Sequence, residues 1–250
     1  MNKYSALSMD ELRKLNDRVF YSPLSRFMHN SMLYVTRPLL KTNITPNQIT
    51  LFWILMQLTG SFLMIKGTYL FNVIGVLLYV GAALLDYVDG QIARIKKIST
   101  YQGLFLEDLG IYFGSPVFML CLSIGVAHSF HDYRYLLLGI ISALAILYSK
   151  LAITNPAAYP PAFRENILKL HEHLSSRSRS NKIVYLFMIF RRSQPLNFLL
   201  LGILFNIPRV VLVTYTLLYL FEFGRRMYRQ LQTLHQLDQK LRMEQPPPTS

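Results

Sequence analysis

Four of the 13 acidic residues in this 250-residue chain, Asp86, Asp89, Glu107 and Asp108, fall within 23 positions, between two long apolar runs. A charged side chain at mid-bilayer costs about 2.5–3.5 kcal/mol on insertion scales, and less near the interface, so acids kept beside apolar segments mark function. On a helix advancing about 100° per residue, Asp86 and Asp89 lie about 60° apart, one turn along the same face. Two carboxylates so placed repel each other, and a divalent cation relieves the repulsion. Gly90 and Ala93 continue that face with almost no side chain, which leaves room for a nucleotide against the backbone. Arg94, one turn beyond Gly90, can meet a phosphate or one of the aspartates. The plainer alternative is a pair of interfacial aspartates neutralised by Arg94 and Lys97. Lys150 lies inside a fourth apolar run and either snorkels to the interface or binds a substrate phosphate within a helix bundle.

The elements that must hold these residues are membrane helices. Hydrophobic residues make up 52% of the chain and charged ones 16%, against about 25% charge in a soluble domain; the mean hydropathy is positive. A bilayer core of about 30 Å needs about 20 helical residues to cross it. The candidate spans are Ile49 to Ile65, Tyr69 to Leu85, Ile111 to Phe130, Tyr135 to Ile153, Pro195 to Ile207 and Val210 to Phe223. The last two are short and read as a hairpin turning at Asn206-Ile207-Pro208. Residues 1–41 have no apolar core of a secretory signal. Ser8 followed by Glu11 reads as a capping box, and Leu12, Leu15, Val19 and Phe20 at helical spacing predict an amphipathic helix on the membrane surface. A single cysteine, Cys121, excludes an internal disulfide framework, and no zinc-type Cys/His spacing is present.

The net charge of +13 follows from topology. With six spans and the N-terminus inside, 22 of the 26 lysines and arginines fall on one face, which the positive-inside rule makes cytoplasmic. The basic residues are scattered among membrane-flanking loops, which argues against a nucleic-acid surface. The loop carrying Lys169, His171 and His173 reads as a solvated or headgroup-touching face.

The segment Asp86-Tyr87-Val88-Asp89-Gly90-Gln91-Ile92-Ala93-Arg94, followed after eight residues by Gly103, resembles the signature of the CDP-alcohol phosphotransferase (CDP-alcohol phosphatidyltransferase) family, D-x2-D-G-x2-A-R-x8-G-x3-D-x3-D. Ile44-Thr45-Pro46-Asn47-Gln48-Ile49-Thr50 resembles the stretch that precedes the first span in that family, and the likeness runs over roughly residues 36 to 225. The resemblance implies an enzyme that moves a substituted phosphate group from a CDP-linked alcohol, often CDP-diacylglycerol, to a second alcohol with release of CMP. It implies one or two Mg²⁺ or Mn²⁺ ions held by Asp86, Asp89 and Glu107, and nucleotide contacts by Asp86, Asp89, Gly90, Ala93, Arg94 and Gly103. The pattern departs at its end: Glu107 stands where the family has its third aspartate and Ile111 where it has the fourth, the proposed base. Glutamate still offers a carboxylate; isoleucine offers none. Asp108 lies about 60° around the helix from position 111, on the side away from Glu107, and can be the catalytic substitute only if the third helix is rotated or bent there; Tyr112 and His128 are weaker ones.

These readings define an all-α integral membrane protein. Residues 1–43 form a cytoplasmic amphipathic segment, 44–225 a six-helix catalytic domain, and 226–250 a polar cytoplasmic tail. The site faces the cytoplasm, at the inner membrane if the source is bacterial. The expected partners are a CDP-linked lipid donor, a polar alcohol acceptor with Lys150 as the candidate for its phosphate, and membrane lipids. A homodimer is one option for the assembly. The alternative function is a catalytically inactive member that binds a CDP-linked lipid or serves as a membrane scaffold.

Overall fold

The computed structural model describes residues 8–16, 23–154 and 198–244, and all regular structure among them is helical. Eight α-helices follow in order: α1 (Met9–Leu15), α2 (Pro23–Leu39), α3 (Pro46–Leu63), α4 (Tyr69–Lys96), α5 (Tyr101–Phe130), α6 (Arg134–Thr154), α7 (Phe198–Leu204) and α8 (Pro208–Glu244), with a 3-10 turn at Met64–Lys66. Three are long and apolar enough to cross a membrane: Pro46–Lys66, Tyr69–Lys96 and Tyr101–Phe130. Large apolar side chains such as Phe52, Leu55, Leu77 and Phe113 lie exposed on their outer faces, the arrangement of helices whose solvent is lipid.

Sequence-local chemistry starts the helices. In the α1 capping box the Ser8 amide donates to Glu11 Oε2 at 2.7 Å, and the Glu11 amide donates back to Ser8 Oγ at 3.3 Å. Hydrogen bonds from the Ser8 amide and hydroxyl hold the Glu11 carboxyl below the usual carboxylate range. Thr45 and Gln48 form a second capping box at α3, with Pro46 at the first helical position where its missing N–H costs nothing. Thr100 caps α5 by accepting from the Gly103 amide at 3.0 Å. Asn206 adopts a left-handed conformation, φ 58°, and Pro208 opens α8, so the expected hairpin turn lies between α7 and α8.

The helices approach closely where glycines face each other. A Cβ built on Gly60 of α3 would stand 2.6 Å from the Gly75 carbonyl oxygen of α4, and one on Gly75 would stand 2.5 Å from the Gly60 carbonyl. Small residues at such crossings let backbones meet and gain dispersion contacts in a solvent that gives no hydrophobic drive. At Gly67, φ 68°, the chain turns against Gly125 of α5, and Ser129 Oγ donates to the Gly67 carbonyl at 2.7 Å. The main core gathers Met64, Val76, Phe118, Leu122, Val211 and Tyr215. A second cluster, with Leu12, Leu33, Leu40, Val88 and Ile92, joins α1 and α2 to the end of α4.

Several elements differ from their sequence outlines. Helices α4 and α5 extend well beyond their apolar stretches, to Lys96 and from Tyr101, so all four acids of the opening window sit on helix. The N-terminal segment contains a second helix, α2, packed on α4. Helix α8 runs unbroken through position 225, where the polar tail was expected to separate. Val19, Phe20, the loop with His171 and His173, and residues 195–197 and 245–250 lie outside the described residues.

Replacing Gly60 or Gly75 with valine forces overpacking against a backbone carbonyl and is expected to lower stability by about 1–3 kcal/mol, read as thermal unfolding in detergent. Gly224→Ala is the control: a Cβ there meets nothing within 4 Å, and alanine's helix propensity should raise stability by up to about 1 kcal/mol.

Candidate functional site

One end of the bundle brings together the start of α3, the last turns of α4 and the first turns of α5. Thr45, Pro46 and Gln48 fix where α3 begins, which sets Thr50 and Trp53, three residues apart, on the side facing α4. Lys97 ends α4 in a left-handed conformation, φ 55°, and Thr100 opens α5. The lead-in to α3 is tied to this end of α4 by Lys96, whose Nζ donates to the Ile44 carbonyl at 3.1 Å and to that of Thr42 at 3.4 Å.

Asp89 is the fixed point. It is 8% exposed, and its Oδ2 accepts hydrogen bonds at 2.7 Å from both Thr50 Oγ1 and Trp53 Nε1. Asp86, one turn earlier, is exposed, as are Glu107 and Asp108 on α5. Glu107, on α5, is near enough to Asp89 for their charges to interact. Among the described residues, no three acidic, histidine or cysteine side chains are gathered closely enough to form a ready metal cage. The donor chemistry, carboxylate oxygens only, fits a hard cation such as Mg²⁺.

Gly90, Ala93 and Arg94 share a half-buried surface. The space over Gly90 holds the Arg94 guanidinium: a Cβ built on Gly90 would meet Nη1 at 3.2 Å. The glycine thus makes room for this chain's own arginine, which the expectation of a nucleotide lying against bare backbone did not include. Gly103 has a similar local reason, because a Cβ there would meet Asn47 Oδ1 at 2.7 Å, and Asn47 Nδ2 donates to the capping Thr100 Oγ1 at 3.3 Å. The stretch before the first span and the glycine of the signature are therefore packed on each other.

The side chains of Ile111 and Lys150 lie outside the described residues; the backbone of Lys150 is in α6. Next to it, the Ser149 carbonyl accepts from Arg226 Nη1 of α8 at 3.0 Å, and the same guanidinium pairs with buried Glu222 at 2.6 Å. Tyr112 is half-buried on α5. His128 sits in the last turn of α5, about 30 Å along the axis from Glu107, too far to serve the acids.

Sequence reasoning did not single out Thr50, Trp53, Glu222 or Arg226 as site residues. Trp53 is the sole tryptophan in the chain and stands one turn beyond Thr50, but the same helix also carries Gln57, Thr59 and Ser61. The spacing was therefore a weak signal for the partner of a buried acid.

A family model described as CDP-alcohol phosphatidyltransferase matches residues 43–171. An uncharacterized protein of Aquifex aeolicus (strain VF5) is similar to this chain, 31% identical over 122 residues, or 48% of this chain; the match spans 60% of the length of that relative.

Thr50→Val removes one donor from the Asp89 carboxylate with little change of shape; Trp53→Phe removes the other and also the ring atoms that pack against Gly110. The first is expected to cost about 1.5–3 kcal/mol of stability, the worth of a hydrogen bond to a charged group, and the second more, because it also leaves a cavity. Adding Asp89→Asn to the double variant should recover part of the loss, since a neutral amide needs less compensation. Denaturation curves of the purified variants check both statements.

Proposed function

Because the chain belongs to the CDP-alcohol phosphatidyltransferase family, we propose that it is a membrane transferase that moves a phosphatidyl or other substituted phosphate group from a CDP-linked alcohol, CDP-diacylglycerol by preference, to an acceptor alcohol. The reading places it in phospholipid biosynthesis. The observation that carries it is the bracketing of Asp89 by Thr50 and Trp53: a buried acid held in one orientation, one turn from Asp86. In this proposal Asp89 is the fixed oxygen donor, and the exposed Asp86 and Glu107 complete a set for one or two Mg²⁺ or Mn²⁺ ions. When bound, such ions would supply positive charge to the donor's pyrophosphate.

The remaining work falls to side chains. Arg94, Gly90, Ala93 and Gly103 line the nucleotide side, with the guanidinium of Arg94 meeting a phosphate oxygen. The acceptor hydroxyl attacks the phosphorus that bears the lipid; a new P–O bond forms as the bond to CMP breaks, and CMP departs with the bridging oxygen. Since position 111 is isoleucine, the hydroxyl proton goes to Asp108, the nearest acid on α5 outside the metal set. Lys150, on α6 next to the point where Arg226 of α8 donates to Ser149, is the candidate for an acceptor phosphate.

Six spans with both termini cytoplasmic complete the proposal, supported by 22 of 26 basic residues on one side. At a cytoplasmic interface a lipid donor keeps its tails in the bilayer while its headgroup reaches the acids, and a polar acceptor arrives from the aqueous side. The departure at Ile111 favours one second reading, a member that binds a CDP-linked lipid without turning it over.

Incubation of the purified chain with CDP-diacylglycerol, Mg²⁺ and a panel of alcohols is expected to release CMP. Asp86→Asn and Asp89→Asn should each abolish release, and excess chelator should do the same; retained turnover in either variant sinks the assignment. Ile111→Asp should leave activity similar or lower, because it adds a charge to a site balanced without it. If the parent is inactive and Ile111→Asp with Glu107→Asp creates CMP release, the binding-only reading is the correct one.

A further inference from the structure

Arg94 is held from outside its own helix. Asn16, at the end of α1, and His29, inside α2, are each 2% exposed, and both reach the same guanidinium. Arg94 Nε donates to Asn16 Oδ1 at 2.6 Å, Arg94 Nη2 lies 3.4 Å from His29 Nε2, and Asn16 Nδ2 lies 3.3 Å from that ring nitrogen. The roles follow from the donor inventory. Arginine only donates, so Asn16 presents its carbonyl oxygen to Nε and its NH₂ to the ring. Two donors then converge on Nε2, which makes it the lone-pair nitrogen of a neutral imidazole whose proton sits on Nδ1.

The imidazole is itself fixed. Gln91, fully buried, donates to the His29 carbonyl at 2.6 Å and accepts from Thr36 Oγ1 at 2.5 Å, which binds α2 to α4. Tyr87 meets the ring edge-on at 6.1 Å. With Nε and Nη2 engaged by the arm and Nη1 over Gly90, the guanidinium is held over the Gly90 turn of α4, one turn along the chain from Asp86. An unrestrained arginine would lose rotamer freedom on meeting a phosphate; here that ordering is already in place before a ligand arrives.

We propose that Asn16 and His29 are positioning residues for Arg94, so that the N-terminal arm is part of the donor site. The inference rests on the reading in which Arg94 meets the donor's phosphate. It gives the segment before the first span a role in nucleotide affinity in addition to membrane attachment.

The test measures equilibrium binding of CDP-diacylglycerol by the full-length chain in detergent with Mg²⁺. Asn16→Ala and His29→Leu are expected to weaken binding about tenfold, the scale of a lost hydrogen bond to a charged group. His29→Gln, which returns an acceptor near the Nε2 position, should keep most of the affinity. In an Arg94→Ala background, Asn16→Ala should cause no further loss. The proposal is overturned if Asn16→Ala weakens binding equally with and without Arg94, or if His29→Gln is as damaging as His29→Leu. If the wild-type chain has no affinity, or Arg94→Ala binds as tightly as wild type, the donor reading fails and takes the proposal with it. Thermal unfolding of the unliganded chain then judges the contact alone: the losses from Asn16→Ala and Arg94→Ala are non-additive if it exists and additive if it does not.

Discussion

A carboxylate taken out of water among membrane helices costs several kcal/mol unless donors replace its hydration. At Asp89 the donors are a hydroxyl and an indole N–H, both from α3 and both at 2.7 Å. The requirement reaches beyond the acid. Satisfying it fixes the rotation and register of α3 against α4, and the Gly60–Gly75 contact at the other end of the same helix pair lets the axes stay close enough to reach. The indole that donates to Asp89 also lies where a side chain on Gly110 would be, so it sets how near α5 comes. One tryptophan thus touches three helices, and the acids of α4 and α5 are placed relative to each other through it.

The last turns of α4 are unusual in being polar on several sides while remaining regular helix. An amphipathic helix keeps its polar residues on the solvent face. Here Asp89 turns to α3, Gln91 and Arg94 turn to the N-terminal arm, and Lys96 turns to the lead-in of α3. Each polar group has a partner from a different element, which is the condition for burying it at all. The end of α4 works as a hub, and the elements around it are positioned by hydrogen bonds in addition to the apolar cluster that joins them.

The parts of this arrangement that were legible in the sequence are those encoded locally. Ser8 with Glu11 and Thr45 with Gln48 announce helix starts through their own side chains, and Asn206-Ile207-Pro208 announces a turn through the left-handed tolerance of asparagine and the fixed φ of proline. Asp86, Asp89 and Arg94 could be placed on one stretch of helix from spacing alone. Most of what could not be read depends on contacts across tens of residues. Thr50 and Trp53 look like ordinary members of an apolar span until Asp89 is seen opposite them. Gly90 suggests an open groove until Arg94 is found lying over it, and Asn16 and His29 carry no mark of their connection to a residue more than sixty positions away. Helix ends were misjudged for a related reason: hydropathy reports where lipid stops, while hydrogen bonding carries α4, α5 and α8 past that point.

Helix α8 has 37 residues, about 55 Å at the α-helical rise, against a hydrocarbon core of about 30 Å. The helix is thus longer than that core is thick by several turns. Its root is clamped: Ser142 and Thr216 share a hydrogen bond at 2.8 Å, and Arg226 grips the Ser149 carbonyl. Through these two contacts any tilt of α8 is passed to α6, the helix that carries Lys150.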